Sequence, residues 1–313
     1  MRILFIGTGE IGVPTLQALE MSGHKIVGVI TQPDKPVGRN QRIAPSPIKA
    51  ALGGTTMSIL QPVRIKDRQA IEEIRALQPE MIIVVAYGQI LPRAVLEIPR
   101  VACLNLHASL LPRWRGAAPI QAAIAAGDRE TGITVIYMDE GLDTGDILLQ
   151  HKIDISANET GGSLHRRLSE IAPPALLESL PMLASGNAPR TPQDDALATY
   201  APKLTRADGR IDWSESAEVI ERKIRAYDPW PGAFTKIAAK SDEPRNLKIF
   251  SAEMVDLGGA PGEILHSDRE LIVSAGKGAL SLRDVQLEGK RRMSAPEFRR
   301  GFGSTARGDL LIR

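Results

Sequence analysis

The chain has a single cysteine, Cys103, in 313 residues. One thiol forms no internal disulfide and no cysteine metal cluster. Its place in the apolar run Val101-Ala102-Cys103-Leu104 marks a buried, inert thiol rather than a nucleophile. Charge of one sign is also scarce: 39 Lys and Arg against 37 Asp and Glu leave a net charge of +2. Bulk charge therefore does not announce a nucleic-acid binder, and any polyanion site must be local. No apolar run approaches the ~20 residues that span a bilayer. Residues 1–7, MRILFIG, run straight into a strand without the charged-then-apolar leader of a secreted protein; no membrane association and a cytoplasmic location are expected. Repeats, heptads and low-complexity tracts are missing. So are the G-x-S-x-G nucleophile elbow and the H-x-x-x-H or C-x-x-C spacings of common metal sites, and no metal is expected.

What is present is an ordinary globular composition, 43% apolar and 24% charged, with chain enough for two domains. Residues 2–7 (RILFIG) read as a short buried strand and 25–30 (KIVGVI) as a second, with a glycine-rich turn and a helix to about Met21 between them. This opens a βαβ unit and hence a parallel sheet. The turn Gly7-Thr8-Gly9-Glu10-Ile11-Gly12 has the G-x-G-x-x-G spacing of a dinucleotide site. However, the second strand ends Val29-Ile30-Thr31-Gln32-Pro33, without the acid that would hold a ribose. NAD is not expected, and the glycines are read as steric. Further strands are expected at 57–60, 81–86, 101–106, 133–138 and 147–153, and helices at 67–77, 117–126 and 160–183, the last interrupted by Pro173-Pro174.

Residues 31–49 hold four prolines, no periodicity, and Lys35, Arg39, Arg42 and Lys49 against the single acid Asp34. They read as an unstructured connection, either a solvated loop or a basic arm for a phosphate backbone. Residues 185–205 have the composition of a linker. Beyond it come a helix at 217–225 and five short strand-like pieces at 233–237, 247–250, 262–265, 271–274 and 279–282, the spacing of a small barrel. The expected fold is α/β: a Rossmann-like, mostly parallel sheet domain over 1–186, a linker over 187–205, and a small OB-like β-barrel domain over 206–313.

The chemistry-bearing stretch is Leu104 to Leu148. Asn105, His107 and Ser109 occupy alternate positions where a buried strand gives out, so an extended backbone points them the same way. Downstream, Asp139, Asp143 and Asp146 share a loop with Gly141 and Gly145. Amide and imidazole N–H groups can hold the oxyanion of a tetrahedral intermediate. A carboxylate can orient the histidine and accept a proton. That set suits acyl-type transfer by positioning. Spacing does not say which of the three aspartates takes part.

The stretch Asn105-Leu-His107-Ala-Ser109-Leu-Leu-Pro112-Arg-Trp-Arg115-Gly116-Ala-Ala-Pro119, with Met138-Asp-Glu-Gly141-Leu-Asp143-Thr-Gly145-Asp146, closely resembles the folate-dependent formyltransferases. Thr31-Gln-Pro-Asp34 with Gly38-Arg39, Val85-Ala-Tyr-Gly88, Ile90-Leu-Pro92, Asp208-Gly-Arg-Ile-Asp-Trp213 and Arg225-Ala-Tyr-Asp-Pro-Trp-Pro231 are similar to the branch whose acceptor is methionyl-initiator tRNA. The resemblance implies that Asn105, His107 and Asp143 are catalytic. It implies that Ser109, Leu110, Leu111 and Pro112 bind tetrahydrofolate, and that the loop bearing Lys35, Arg39 and Arg42 meets the tRNA acceptor arm. It implies 10-formyltetrahydrofolate as formyl-donor cosubstrate, initiator methionyl-tRNA as partner, a tRNA-binding C-terminal domain, and a monomer. The family commonly reads G-T-P-D-F-A at the first turn, where this chain has Gly7 to Gly12. Rival readings are the same chemistry on a sugar nucleotide or on water, a nicotinamide oxidoreductase resting on the first turn, and a non-catalytic tRNA-binding protein.

Overall fold

The computed structural model describes residues 1–38, 41–54, 56–239, 243–265, 270–302 and 310–312. Arg39, expected at the tRNA, lies outside the described residues. The chain opens with β1 (Arg2–Gly7), α1 (Val13–Met21) and β2 (Lys25–Ile30), then a hairpin of β3 (Lys35–Val37) and β4 (Arg42–Ala44) and the short α2 (Pro47–Ala51). It continues through β5 (Ile59–Leu60), α3 (Arg68–Ala76), β6 (Met81–Val85), α4 (Arg93–Leu96) and β7 (Ala102–His107). Then come β8 (Arg115–Gly116), α5 (Pro119–Ala126), β9 (Glu130–Tyr137), β10 (Ile147–Asp154), α6 (Gly161–Ala184) and β11 (Tyr200–Ala201).

The main sheet has the order β10-β9-β7-β6-β1-β2-β5. Pairing is parallel from β7 through β5 and antiparallel where β9 meets β7 and β10 meets β9. The strands that read as unbroken apolar runs are the central ones: every residue of β6 is buried, as is β1 beyond its first residue. Strands covered on both faces need no alternation. Two glycines of the G-x-G-x-x-G turn are required by close packing. A Cβ on Gly7 would fall 2.9 Å from the Val85 carbonyl oxygen, and one on Gly12 3.3 Å from the Val85 side chain.

Two expectations changed. Residues 31–49 are not unstructured: they hold the β3–β4 hairpin and α2, the latter capped by Ser46, whose Oγ accepts from Lys49 N at 3.1 Å. The exposed hairpin has no buried face to write a pattern into the sequence. The Pro173-Pro174 pair does not interrupt its helix, because α6 runs unbroken from Gly161 to Ala184. Leu168, Ala172, Ala175, Leu176 and Leu180 on it are buried. That apolar face outweighs the lost backbone bonds, at ~1.5–3 kcal/mol per fully buried leucine against ~3 kcal/mol per interior proline.

The C-terminal part contains α7 (Ala217–Ala226), β12 (Phe234–Ala239), β13 (Arg245–Val255), β14 (Ile264–Leu265), β15 (Leu271–Ser274), β16 (Ala279–Leu287), β17 (Met293–Ser294), α8 (Ala295–Phe302) and β18 (Leu310–Ile312). Its strands run β14-β15-β16-β13-β12-β18, with β17 on β16, all antiparallel. The two ends of that order, β14 and β18, come back into contact, so the sheet curls into a small barrel-like fold. Its core is Ile220 and Ile224 of α7 against Leu247, Val273, Leu280 and Val285. By contacts the chain forms two compact units: 1–119, 130–154 and 165–202 in one, and 120–129, 155–164 and 203–313 in the other.

Candidate active site

The first unit brings Asn105, His107 and Asp143 together. Strand β7 supplies two of them at alternate positions near its C-terminal end, paired on one side with parallel β6 and on the other with antiparallel β9. The carboxylate does not come from a neighbouring strand end. The loop after β9 starts beside the beginning of β7, where Met138 N donates to the Cys103 carbonyl at 2.8 Å. It then folds back over the strand. Asp143 sits at φ +55 in the left-handed region, which is uncommon for a non-glycine residue. Two residues on, a Cβ at position 145 would lie 1.7 Å from the Tyr137 carbonyl oxygen, so the return of the loop requires Gly145.

The Asn105 Nδ2 donates to Asp143 Oδ1 at 3.2 Å. The Gly116 backbone N–H donates to Asp143 Oδ2 at 2.9 Å, and His107 Nδ1 stands 3.5 Å from the same oxygen. His107 Nε2 lies 2.8 Å from the Trp114 carbonyl oxygen. That oxygen can only accept, so Nε2 carries a proton. Trp114 is itself at φ +61, and its N–H donates to Thr199 Oγ1 at 2.9 Å. The carboxylate is nearly covered, with His107 6% and Asp143 13% exposed at the side chain. Burial strengthens each of these contacts. The other two aspartates are occupied elsewhere: Asp139 accepts from Gly141 N and Thr144 Oγ1 within its own loop, and Asp146 pairs with Arg190 at 3.8 Å.

Ser109 to Pro112 turns away from β7 with its polar groups satisfied internally. Ser109 Oγ donates to the Arg113 carbonyl at 2.6 Å. Thr134 Oγ1 donates to the Ser109 carbonyl at 2.6 Å and accepts from Leu111 N at 3.1 Å. Gln150 Nε2 donates to the Leu111 carbonyl at 2.9 Å. Ser109 and Leu111 are buried, while Leu110 and Pro112 are half-buried. The segment therefore offers a ligand a fixed, largely apolar wall. Gln150 was not singled out from sequence; one polar residue among the several of β10 gives no signal until its partner is seen.

Near the ends of β1 and β6, Tyr87 is buried and its hydroxyl finds no partner among the described residues. Burial pushes it up to about 12. Cys103 is a free buried thiol, likewise pushed up to about 12 by burial. Of the basic residues expected at the tRNA, Lys35 and Arg42 are exposed on the hairpin. Lys49 is instead tied to Asp34 at 2.8 Å. No group of three or more metal-ligating side chains converges among the described residues.

An amide, an imidazole and a carboxylate converge at the end of a buried strand, a set of groups that suits transfer to or from a carbonyl carbon. The comparisons give the family. The formyl transferase profile matches residues 1–180 and the formyl transferase C-terminal domain profile residues 203–303, and the chain belongs to this family. A methionyl-tRNA formyltransferase of Citrifermentans bemidjiense is 46% identical over 96% of this chain and 94% of that protein. Among solved structures, the methionyl-tRNA formyltransferase of Clostridium thermocellum superposes with TM-score 0.58 at 20% identity, over 92% of this chain and 98% of that one. HypX of Aquifex aeolicus in complex with tetrahydrofolic acid gives TM-score 0.64 at 21% identity, over 99% of this chain and 48% of that one.

Proposed function

We propose that this chain is a methionyl-tRNA formyltransferase, moving the formyl group of 10-formyltetrahydrofolate to the α-amine of methionine on initiator tRNA for translation initiation. The observation that carries the reading is the convergence of Asn105, His107 and Asp143 in a chain that aligns almost end to end with relatives of that name. The neutral amine attacks the formyl carbon, a C–N bond forms, and the oxygen takes up negative charge. Asn105 has two amide N–H groups and spends one on Asp143, so the other can meet that oxygen; such a donor is worth ~3–4 kcal/mol of transition-state stabilisation. His107 can join it by exchanging the Trp114 carbonyl for the oxyanion. Asp143 takes the amine's proton, directly or through water. The bond from the formyl carbon to the folate nitrogen then breaks, that nitrogen is protonated, and tetrahydrofolate leaves.

Ser109 to Pro112 fits a folate as a rigid wall, and Lys35 and Arg42 on the exposed hairpin fit acceptor-arm phosphates. The chemistry needs no nicotinamide, and the donor set around Asp143 does not call for a metal. A sugar nucleotide as acceptor would leave the basic hairpin without a role. The test is direct. Purified protein is incubated with the formyl donor and methionyl-tRNA, and the aminoacyl-tRNA is resolved on an acid gel. Formylmethionyl-tRNA is expected; its absence with intact donor and tRNA refutes the reading.

A further inference from the structure

The segment with the composition of a linker reaches into the site. Thr191 pairs with Ile147 through both backbone bonds, and Tyr200–Ala201 pairs with Arg115–Gly116. Between these anchors, Gln193 Nε2 donates to two carbonyls of the catalytic loop, Asp143 at 2.8 Å and Gly145 at 2.7 Å. One side-chain amide thus ties together the carbonyls of Asp143 and Gly145, one on each side of the Thr144–Gly145 peptide and directly after the left-handed Asp143. On its other side, Gln193 Oε1 accepts from Arg115 Nε at 3.1 Å and Nη2 at 2.9 Å. Arg115 is 2% exposed and also donates to Asp195 at 2.8 Å. A guanidinium has only donors and a peptide carbonyl only accepts. The chemistry therefore fixes which end of the amide faces which partner. Arg115 sits between Trp114, whose carbonyl holds His107, and Gly116, whose N–H holds Asp143.

We propose that Gln193, oriented by Arg115, is a positioning residue for the catalytic carboxylate: it holds the Asp143 loop in the strained conformation that aims the side chain at Asn105 and His107. The inference rests on Asp143 being the proton-handling group of the proposed function. The hydrogen bonds of Gln193 go to the Asp143 and Gly145 carbonyls and to Arg115, so its effect belongs on kcat. Displacing a catalytic group by about 1 Å is enough for a ~100-fold loss.

The discriminating variant is Gln193→Glu. It keeps an acceptor for Arg115 but presents oxygens to two carbonyls, so a role in holding the fold through Arg115 survives while the clamp on the loop is lost. Gln193→Leu, which removes both, is the second variant; position 193 is only half-buried, so neither substitution opens the core. For both variants kcat should fall ~10–100-fold, with KM for the formyl donor and for methionyl-tRNA within about threefold of the parent and an unchanged melting profile for Gln193→Glu. A Gln193→Glu enzyme with the parent kcat, or one whose loss lies in KM alone, overturns the clamp. Asp143→Asn separates the two readings. If it retains the parent rate, the assignment of Asp143 fails; if it is inactive while Gln193→Glu turns over normally, the clamp alone fails.

Discussion

At the residue scale, the three aspartates differ by what holds them rather than by chemistry. Asp139 ties its own loop, Asp146 faces Arg190, and Asp143 meets Asn105, His107 and the Gly116 N–H. Asp143→Asn removes the proposed proton acceptor and should lower kcat by ~10²–10⁴-fold, while Asp146→Asn, which loses a half-exposed ion pair, should stay within about threefold of the parent. Steady-state rates on methionyl-tRNA decide it, and an Asp146 variant as impaired as the Asp143 one would refute the assignment. Spacing could not make the choice, which the family resemblance supplied, because it depends on where a left-handed residue turns the loop. Cys103 was legible: an apolar run buried it, and its elevated pKa follows from desolvation. The folded protein should resist a thiol-alkylating reagent at pH 8 and take up one equivalent only in denaturant, as mass spectrometry would show.

At the scale of elements, the basic hairpin is supported by a polar network. Asp34 accepts from Lys49 Nζ at 2.8 Å and from Gln61 Nε2 at 2.8 Å, and Gln61 also donates to the Gln32 carbonyl at 2.9 Å. Hydrogen bonds from Lys49 and then Gln61 hold the Asp34 carboxyl below its ordinary range. A depressed carboxyl stabilises the fold above its unfolded pKa of about 3.9 and loses that contribution as pH falls through the folded value, so the hairpin base should loosen only in acid. Asp34→Ala should weaken tRNA binding several-fold and leave the KM for the formyl donor unchanged; a matched rise in both would refute a role confined to the hairpin. Binding of tRNA should also fall steeply with salt, in proportion to the phosphates neutralised.

The same scale shows what sequence could and could not convey. Central strands such as β6 announce themselves because burial on both faces leaves an unbroken apolar run. Exposed pairing, as in β3 and β4, leaves no such mark. Nor does a proline pair inside a helix whose buried face decides the matter, nor a proline-rich connection such as 185–205 that earns its place through single side chains like Gln193 and Thr199. In the C-terminal part, α8 went unread because its eight residues carry few apolar side chains, although Ala295 and Phe298 are buried in the barrel core.

At the scale of the whole molecule, the compact units interleave along the chain. Residues 120–129 and 155–164 lie between segments of the first unit in the sequence but belong with 203–313. The reasons are local. Gly127 is overlain by the Arg222 side chain, Gly162 N donates to the Asp228 carbonyl at 2.8 Å, and Arg225 Nη1 donates to the Glu159 carbonyl at 3.0 Å. A fragment cut after Pro202 would retain Asn105, His107, Asp143 and Gln193, yet it would strand both segments. Those interactions would be lost, and a typical domain has only ~5–15 kcal/mol of total stability. The fragment should therefore melt well below the parent chain, bind a hydrophobic dye and show less than about a hundredth of the parent kcat, even for acceptors that make no use of a tRNA-binding domain. A fragment of residues 1–202 that melts cooperatively at the parent temperature would show instead that the interleaved segments fold without their partners, and that the second unit serves binding alone.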